Sequence, residues 1–103
     1  IMKFDHQAFQ VSDIDSSIDF YVNKLGFKLL SNEVNNEEHE AFAFVVNGDA
    51  RIELLQDLAG PYEKPVIKRP YCPHFCLKTD DMAQTVKMLK ENNIRAPRKT
   101  TFS

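Results

Sequence analysis

An internal repeat with a spacing of 68 residues limits the fold of this 103-residue chain more than any other feature of its sequence. The shift places His6 on His74 and Asp13 on Asp81. Further aligned pairs follow in the same order: Phe4 with Cys72, Ala8 with Cys76, Ile14 with Met82, Ser17 with Thr85, Ile18 with Val86 and Tyr21 with Leu89. Each pair keeps the role of its residue, and such repeats indicate a duplicated supersecondary unit. The chain is therefore predicted to contain two copies of one module.

The first copy is predicted over residues 1–57 as a strand, a helix and three more strands. The helix begins at its N-cap Asp13 and ends at Gly26, because glycine accepts the left-handed conformation that closes many helices. Alternating or continuous apolar runs predict the strands at 3–11, 27–34, 40–46 and 50–56. Asn47-Gly48 predicts a tight hairpin turn between the last two strands. We expect Phe42, Phe44 and Val46 to lie in the strand core.

A proline-containing linker at 58–70 separates this module from a partial second copy at 71–103. The second copy contains a predicted strand at 71–78, a helix capped by Thr79 or Asp80, and the start of another strand from Ile94. The pattern predicts an α+β fold of paired βαβββ modules with a helix outside each sheet.

The second copy is expected to be incomplete, since a full repeat would extend to about position 125. Two or three strands would then come from a longer protein or from a partner chain. An unfinished module leaves an open sheet edge, and exposed edges recruit further strands. A homodimer is therefore predicted.

Charge and cysteine spacing exclude several classes of function. Thirteen basic and fifteen acidic residues leave a net charge of −2, so no basic surface for nucleic acid is expected. No apolar run approaches the roughly 18 residues of a membrane span, and no secretory leader is visible. Cys72 and Cys76 would be about 13 Å apart on a strand, too far for a disulfide. Free thiols indicate a reducing, cytoplasmic location.

Two histidines and one glutamate are the candidate functional residues. His6 and His74 occupy equivalent positions of the two modules, so a pseudo-twofold axis would allow them to converge on one point. Glu53 lies inside an apolar strand, where a carboxylate requires a partner. That partner is either Arg51 in a surface ion pair or a metal. Two imidazoles and a carboxylate suit zinc, nickel, cobalt, manganese or ferrous iron.

Five segments resemble the glyoxalase/bleomycin resistance/dioxygenase superfamily, also called vicinal oxygen chelate proteins. They are DHQAFQVSD at 5–13, SIDFY at 17–21, LGF at 25–27, RIELL at 51–55 and PHFCL at 73–77. The resemblance implies a cupped mixed sheet of eight strands that holds a divalent metal ion. It also implies that His6, Glu53 and His74 are metal ligands, while the family's fourth ligand, a glutamate, has no counterpart in this chain.

The Glu-Leu-Leu motif followed by a proline-containing linker is most similar to methylmalonyl-CoA epimerases and lactoylglutathione lyases. This similarity implies a metal-dependent lyase or isomerase that abstracts a proton next to a carbonyl of a small-molecule substrate, with Glu53 as the catalytic carboxylate. Two alternatives stay open. One is a metal-free protein of the same fold that binds a small molecule such as an antibiotic; the other is a ring-cleaving dioxygenase or a thiol-transferring resistance enzyme.

Overall fold

The computed structural model describes residues 1–64, 66 and 74–94, and the chain divides into two compact units, Ile1–Glu63 and Lys64–Ser103. The first unit contains one sheet and one helical segment. Its elements are β1 (Gln7–Gln10), α1 (Ile14–Asp19) with a π-helical turn (Phe20–Lys24), β2 (Lys28–Asn35), β3 (Glu40–Asn47) and β4 (Ala50–Asp57). The described part of the second unit contains α2 (Met82–Glu91).

The four strands form one mixed sheet in the order β1-β4-β3-β2. β1 pairs with β4 in parallel, whereas β4 with β3 and β3 with β2 are antiparallel. The register places Ala8 and Phe44 on either side of Glu53. This mixed sheet with its helices confirms the predicted α+β class. β1 is shorter than predicted, so His6 precedes the strand instead of lying within it.

One face of the sheet packs against α1 and forms the core of the first unit. The buried residues come from the helix, its C-terminal end and alternate positions of the two central strands: Ile14, Phe27, Ala41, Ala43, Val45, Ile52 and Leu54. Gln56 ties the helix to the sheet, since its Oε1 accepts a hydrogen bond of 2.8 Å from the backbone N–H of Ile14.

The opposite face, called here the open face, carries Phe42, Phe44 and Val46, which are half-buried. The prediction that these three residues form the strand core was therefore wrong. The run at 41–46 is apolar on both faces, so the period of two shows no preferred side. Ala41 and Ala43 lie on the helix side instead, where short side chains let the helix approach the sheet closely.

The hairpin between β3 and β4 turns one residue later than predicted. Asn47 is paired with Ala50, so the two loop residues are Gly48 and Asp49. Gly48 has φ +58°, and a positive φ at the first loop position is what a type II′ turn requires.

The two helices begin alike, as the repeat predicts. Asp13 caps α1 by accepting from the N–H groups of Asp15 and Ser16, and Asp81 caps α2 by accepting from Gln84. The second cap is therefore Asp81, and the alternatives Thr79 and Asp80 were wrong. Thr79 instead accepts a hydrogen bond from the Asp81 N–H.

The helices end one residue out of step. The left-handed residue after the helix is Gly26 (φ +80°) in the first unit and Asn93 (φ +58°) in the second, a spacing of 67 instead of 68. The π-helical turn at Phe20–Lys24 holds the extra residue of the first helix. The hydrogen bonds that close the two helices show the same extra residue. Phe27 N–H donates to the C=O of Tyr21, six residues earlier, whereas Ile94 N–H donates to the C=O of Leu89, five residues earlier.

The strand predicted at 71–78 is absent over its described part, 74–78; residues 71–73 lie outside the described residues. A strand needs a neighbour for its ladder of hydrogen bonds, and the described part of the second unit contains no other strand. The strand predicted from Ile94 falls almost wholly outside the described residues. Among the described helices, neither has the length and apolar character that crossing a membrane would require.

Candidate functional site

The open face places one carboxylate among apolar side chains. Glu53 alternates with the buried Ile52 and Leu54 along β4, so its side chain lies on the face opposite the core. Its exposed fraction is 20%. The neighbouring positions on this face include Phe44 on β3 and Leu55 on β4, both half-buried. A carboxylate in such surroundings needs a polar partner.

The polar side chain that faces Glu53 is that of His6. Its Nε2 lies 3.5 Å from Oε1 of Glu53, and 33% of its side chain is exposed. The parallel pairing explains the contact, since Ala8 is paired with Glu53 and His6 lies two residues earlier on the same face. The imidazole also makes an edge-to-face contact with Phe44, with ring centroids 5.0 Å apart. The structure thus brings together two of the three residues that the sequence predicts.

The other ring nitrogen of His6 is held by Asp5. Nδ1 lies 2.6 Å from Oδ2 of Asp5, and because an ionised carboxylate only accepts, the imidazole N–H donates. Arg51 lies on the other side of Asp5, with its guanidinium nitrogen 3.8 Å from Oδ1. The hydrogen bond from His6 is the largest cause that lowers the pKa of Asp5, and the Arg51 charge acts in the same direction against an opposing desolvation effect.

His6 and Glu53 have the spacing of two ligands of one metal ion, and Asp5 is placed to orient the histidine. Nitrogen and oxygen ligands at about 2.0–2.2 Å from one metal ion lie roughly 3.0–3.5 Å from each other in tetrahedral or octahedral geometry. The His6–Glu53 distance of 3.5 Å falls at the upper end of that range and exceeds the usual length of a hydrogen bond. A metal-binding histidine also usually donates its second N–H to a carboxylate, as His6 does to Asp5.

The third predicted ligand, His74, belongs to the second unit. It is exposed and is the first residue of the segment 74–79, which contains no helix or strand. Within the described residues, no three His, Cys, Asp or Glu side chains form a group able to hold a metal ion. Cys76 is exposed with a free thiol, and Cys72 lies outside the described residues.

Several cavities lie near the sheet of the first unit. One of about 320 Å³ adjoins the His6 site through Asp5 and Arg51 and is also lined by Phe4, Leu30, Val46, Gly48 and Asp49. A larger one of about 690 Å³ lies at the beginning of α1, beside Asp13 and Gln56, and contains none of the site residues. Size alone therefore does not identify the site.

Sequence reasoning missed Asp5 and Phe44 as parts of the site. A signal for Asp5 was present, since an acid directly before a candidate ligand histidine can reach its ring. Phe44 could be found only from the strand register, which places it opposite Glu53.

Comparison with known proteins decides the family. A sequence model described as "Glyoxalase/Bleomycin resistance protein/Dioxygenase superfamily" matches residues 3–102, nearly the whole chain. The chain belongs to this superfamily. The predicted family resemblance is thereby confirmed.

Individual relatives agree with this membership. The chain is 34% identical over 100 residues to a mitochondrial methylmalonyl-CoA epimerase of Dictyostelium discoideum, covering 92% of this chain and 60% of the epimerase. It is 31% identical over 93 residues to a lactoylglutathione lyase of Escherichia coli O157:H7, covering 88% of this chain and 68% of the lyase. The chain thus spans about six- to seven-tenths of these relatives.

Among solved structures, the trypanothione-dependent glyoxalase I of Leishmania major has a similar fold. The match has a TM-score of 0.74 at 22% identity and covers 90% of this chain and 68% of that protein. At this identity, the likeness supports the fold and not the activity.

Proposed function

We propose that this chain is part of a metal-dependent lyase or isomerase that abstracts a proton next to a carbonyl of a small-molecule substrate. The observation that carries the proposal is the 3.5 Å distance between Nε2 of His6 and Oε1 of Glu53. When the imidazole holds one proton, the hydrogen bond to Asp5 uses it, and Nε2 presents a lone pair to the carboxylate. Two acceptor atoms that face each other favour a cation between them.

The metal ion and Glu53 have separate roles in this reaction. A bound divalent ion supplies a Lewis acid that polarises the substrate's carbonyl oxygen. Glu53 takes the proton from the adjacent carbon and returns it to the substrate. The substrate is therefore neither oxidised nor reduced overall. Because Oε1 faces His6, the second carboxylate oxygen accepts the proton. The half-buried Phe44 and Leu55 limit the access of water to this carboxylate.

The wider site and assembly follow from the same proposal. His74 supplies a third ligand from the second unit, and a further ligand comes from outside this chain. The ion is zinc, nickel, cobalt, manganese or ferrous iron. The protein acts as a homodimer in the cytoplasm, and nucleic acid is not a partner. The relatives' names suggest two substrate classes, coenzyme A thioesters and glutathione thioesters.

Calorimetric titration with zinc, nickel and cobalt tests the metal part of the proposal. We expect the chain to bind one ion per site, and His6→Ala and Glu53→Gln to weaken binding at least tenfold. His74→Ala should weaken it as well. His39→Asn removes an exposed turn histidine and Glu33→Gln an exposed carboxylate on β2, so both serve as matched controls that retain binding. Equal binding by all variants, or none by the wild type, would contradict the proposal.

Exchange of hydrogen with deuterated water tests the proton abstraction. We expect the metal-loaded chain to exchange the proton next to the carbonyl of methylmalonyl-CoA or of lactoylglutathione, and Glu53→Gln to abolish the exchange. Binding of either compound without metal and without exchange would favour the alternative, a metal-free small-molecule binding protein.

A further inference from the structure

Four charged or ionisable side chains form a continuous row on the open face. Arg51 and Glu53 lie two residues apart on β4, while Asp5 and His6 directly precede β1. The contacts run from Arg51 to Asp5 at 3.8 Å, from Asp5 to His6 at 2.6 Å and from His6 to Glu53 at 3.5 Å. The sequence predicts His6 and Glu53 as ligands and Arg51 as the alternative ion-pair partner of Glu53, but it predicts no role for Asp5.

We propose that Asp5 is a positioning residue, which fixes the Nδ1–H tautomer of His6 so that the Nε2 lone pair faces Glu53, and that Arg51 holds Asp5 in place. The assignment follows from the two oxygens of Asp5. Oδ2 accepts the Nδ1–H of His6, while Oδ1 lies toward the Arg51 guanidinium. Each oxygen therefore has its own partner, His6 at hydrogen-bond distance and Arg51 at ion-pair distance.

The tautomer decides what the site can bind. In a neutral imidazole one nitrogen is a donor and the other an acceptor, and the hydrogen bond at one nitrogen sets the state of the other. With the proton on Nδ1, Nε2 is available as a ligand. With the proton on Nε2, that N–H would point at Glu53 and close the space between the two atoms.

The exposure of Asp5 argues against a purely structural role. Its side chain is 70% exposed, and an exposed ion pair such as the one with Arg51 contributes little to folding. Carboxylates that contribute little to folding but orient a metal-binding histidine are typical of metal sites. Their loss weakens metal affinity about 10- to 100-fold. This part of the inference rests on the proposed function, whereas the tautomer does not.

Nitrogen-15 NMR of the three histidines measures the tautomer directly in the metal-free chain at about pH 8, above the ordinary titration range of histidine. His39→Asn and His74→Gln assign the resonances. We expect His6 of the wild type to be in the Nδ1–H form. Asp5→Asn, whose amide oxygen still accepts, should largely retain this form, and Asp5→Ala should lose it. Asp49→Asn removes a neighbouring charge of the same cavity and should leave the tautomer unchanged.

Zinc titration of the same variants gives the second readout. Asp5→Ala should weaken zinc binding about 10- to 100-fold, and Asp5→Asn should weaken it less. Arg51→Gln should shift binding in the same direction as Asp5→Asn. The inference is overturned if wild-type His6 is in the Nε2–H or the doubly protonated form, or if Asp5→Ala leaves its tautomer unchanged. Absence of zinc binding by the wild type would refute the proposed function, while the tautomer measurement would still decide the role of Asp5.

Discussion

Nε2 of His6 lies 3.5 Å from Oε1 of Glu53, on the sheet face that the helix does not cover. The hydrogen bond from Nδ1 to Asp5 makes both facing atoms acceptors whenever the ring carries a single proton. Such a pair stabilises nothing by itself. Two acceptors in contact conflict with the rule that partly buried polar groups are paired, and conflicts of this kind occur at functional sites.

Replacing Glu53 by leucine should therefore stabilise the metal-free fold while it removes metal binding. The substitution relieves the facing acceptors and extends the apolar surface of Phe44 and Leu55. We expect the free energy of unfolding to rise by about 0.5–1 kcal/mol in urea denaturation with a chelator present. Glu33→Leu on the edge strand is the control and should change it by less than about 0.5 kcal/mol. A loss of stability in Glu53→Leu would show that the carboxylate supports the fold.

The first module could be read from the sequence because its signals are local. Asp13 and Gly26 mark the two ends of the first helix, and alternation along β4 correctly separates Ile52 and Leu54 from Glu53. Which face of β3 lies against the core could not be predicted, since both of its faces are apolar. Packing against α1 decides that Ala41 and Ala43 are buried there. The strand expected at 71–78 depends on a pairing partner, which a local pattern does not specify.

The site could be predicted only in part for a related reason. Glu53 is conspicuous as an acid in an apolar strand, and the repeat pairs His6 with His74. The role of Asp5 depends on the rotamer of a neighbouring side chain, and that of Phe44 on the strand register. Neither is encoded in residue spacing alone.

Truncation of adjacent leucines should separate the two faces of β4. Leu54 is fully buried beneath α1, so Leu54→Ala should lower the free energy of unfolding by about 2–5 kcal/mol through lost burial and the cavity left behind. Leu55 is half-buried on the open face, and Leu55→Ala should cost clearly less. Urea denaturation measures both. Equal losses would mean that the open face is packed as tightly as the core.

The C-terminal end of the first helix depends on the left-handed conformation of Gly26. Gly26→Ala places a Cβ in open space, so any cost comes from the backbone at φ +80° and not from a clash. We expect a loss of about 1 kcal/mol in thermal or urea unfolding. Gly60→Ala, at a glycine without a positive φ and also with open space around it, is the matched control. A cost as large at Gly60 would contradict the conformational explanation.

Tyr21 should make the fold sensitive to alkaline pH. Burial raises the pKa of its phenol above the ordinary value, because the half-buried ring packs edge-to-face against Phe27 with centroids 5.4 Å apart. The unfolded chain therefore loses this proton at a lower pH than the folded chain, and stability falls as pH rises from about 10 toward the folded-state pKa. Tyr21→Phe should flatten this part of the pH–stability curve.

Tyr62→Phe is the control for the alkaline experiment, since Tyr62 is exposed and its substitution should leave the slope unchanged. Urea denaturation at a series of pH values measures the slopes, and all other titratable groups are the same in the three proteins. An unchanged slope in Tyr21→Phe would mean that its hydroxyl remains in contact with water.

The π-helical turn at Phe20–Lys24 should tolerate the deletion of one residue. Such turns behave as single-residue insertions into an α-helix, and the spacing of 67 between Gly26 and Asn93 indicates where the extra residue lies. Deleting the exposed Asn23 should convert the segment to a regular helix and still place Leu25 and Phe27 against the core. We expect amide hydrogen exchange along the first helix to remain protected. Deletion of Lys87 from α2, where the helix is regular, should rotate the following residues by about 100° and lose the protection there. If deletion of Asn23 also abolishes protection, the wide turn is required for packing, and the two helices are not interchangeable copies of one element.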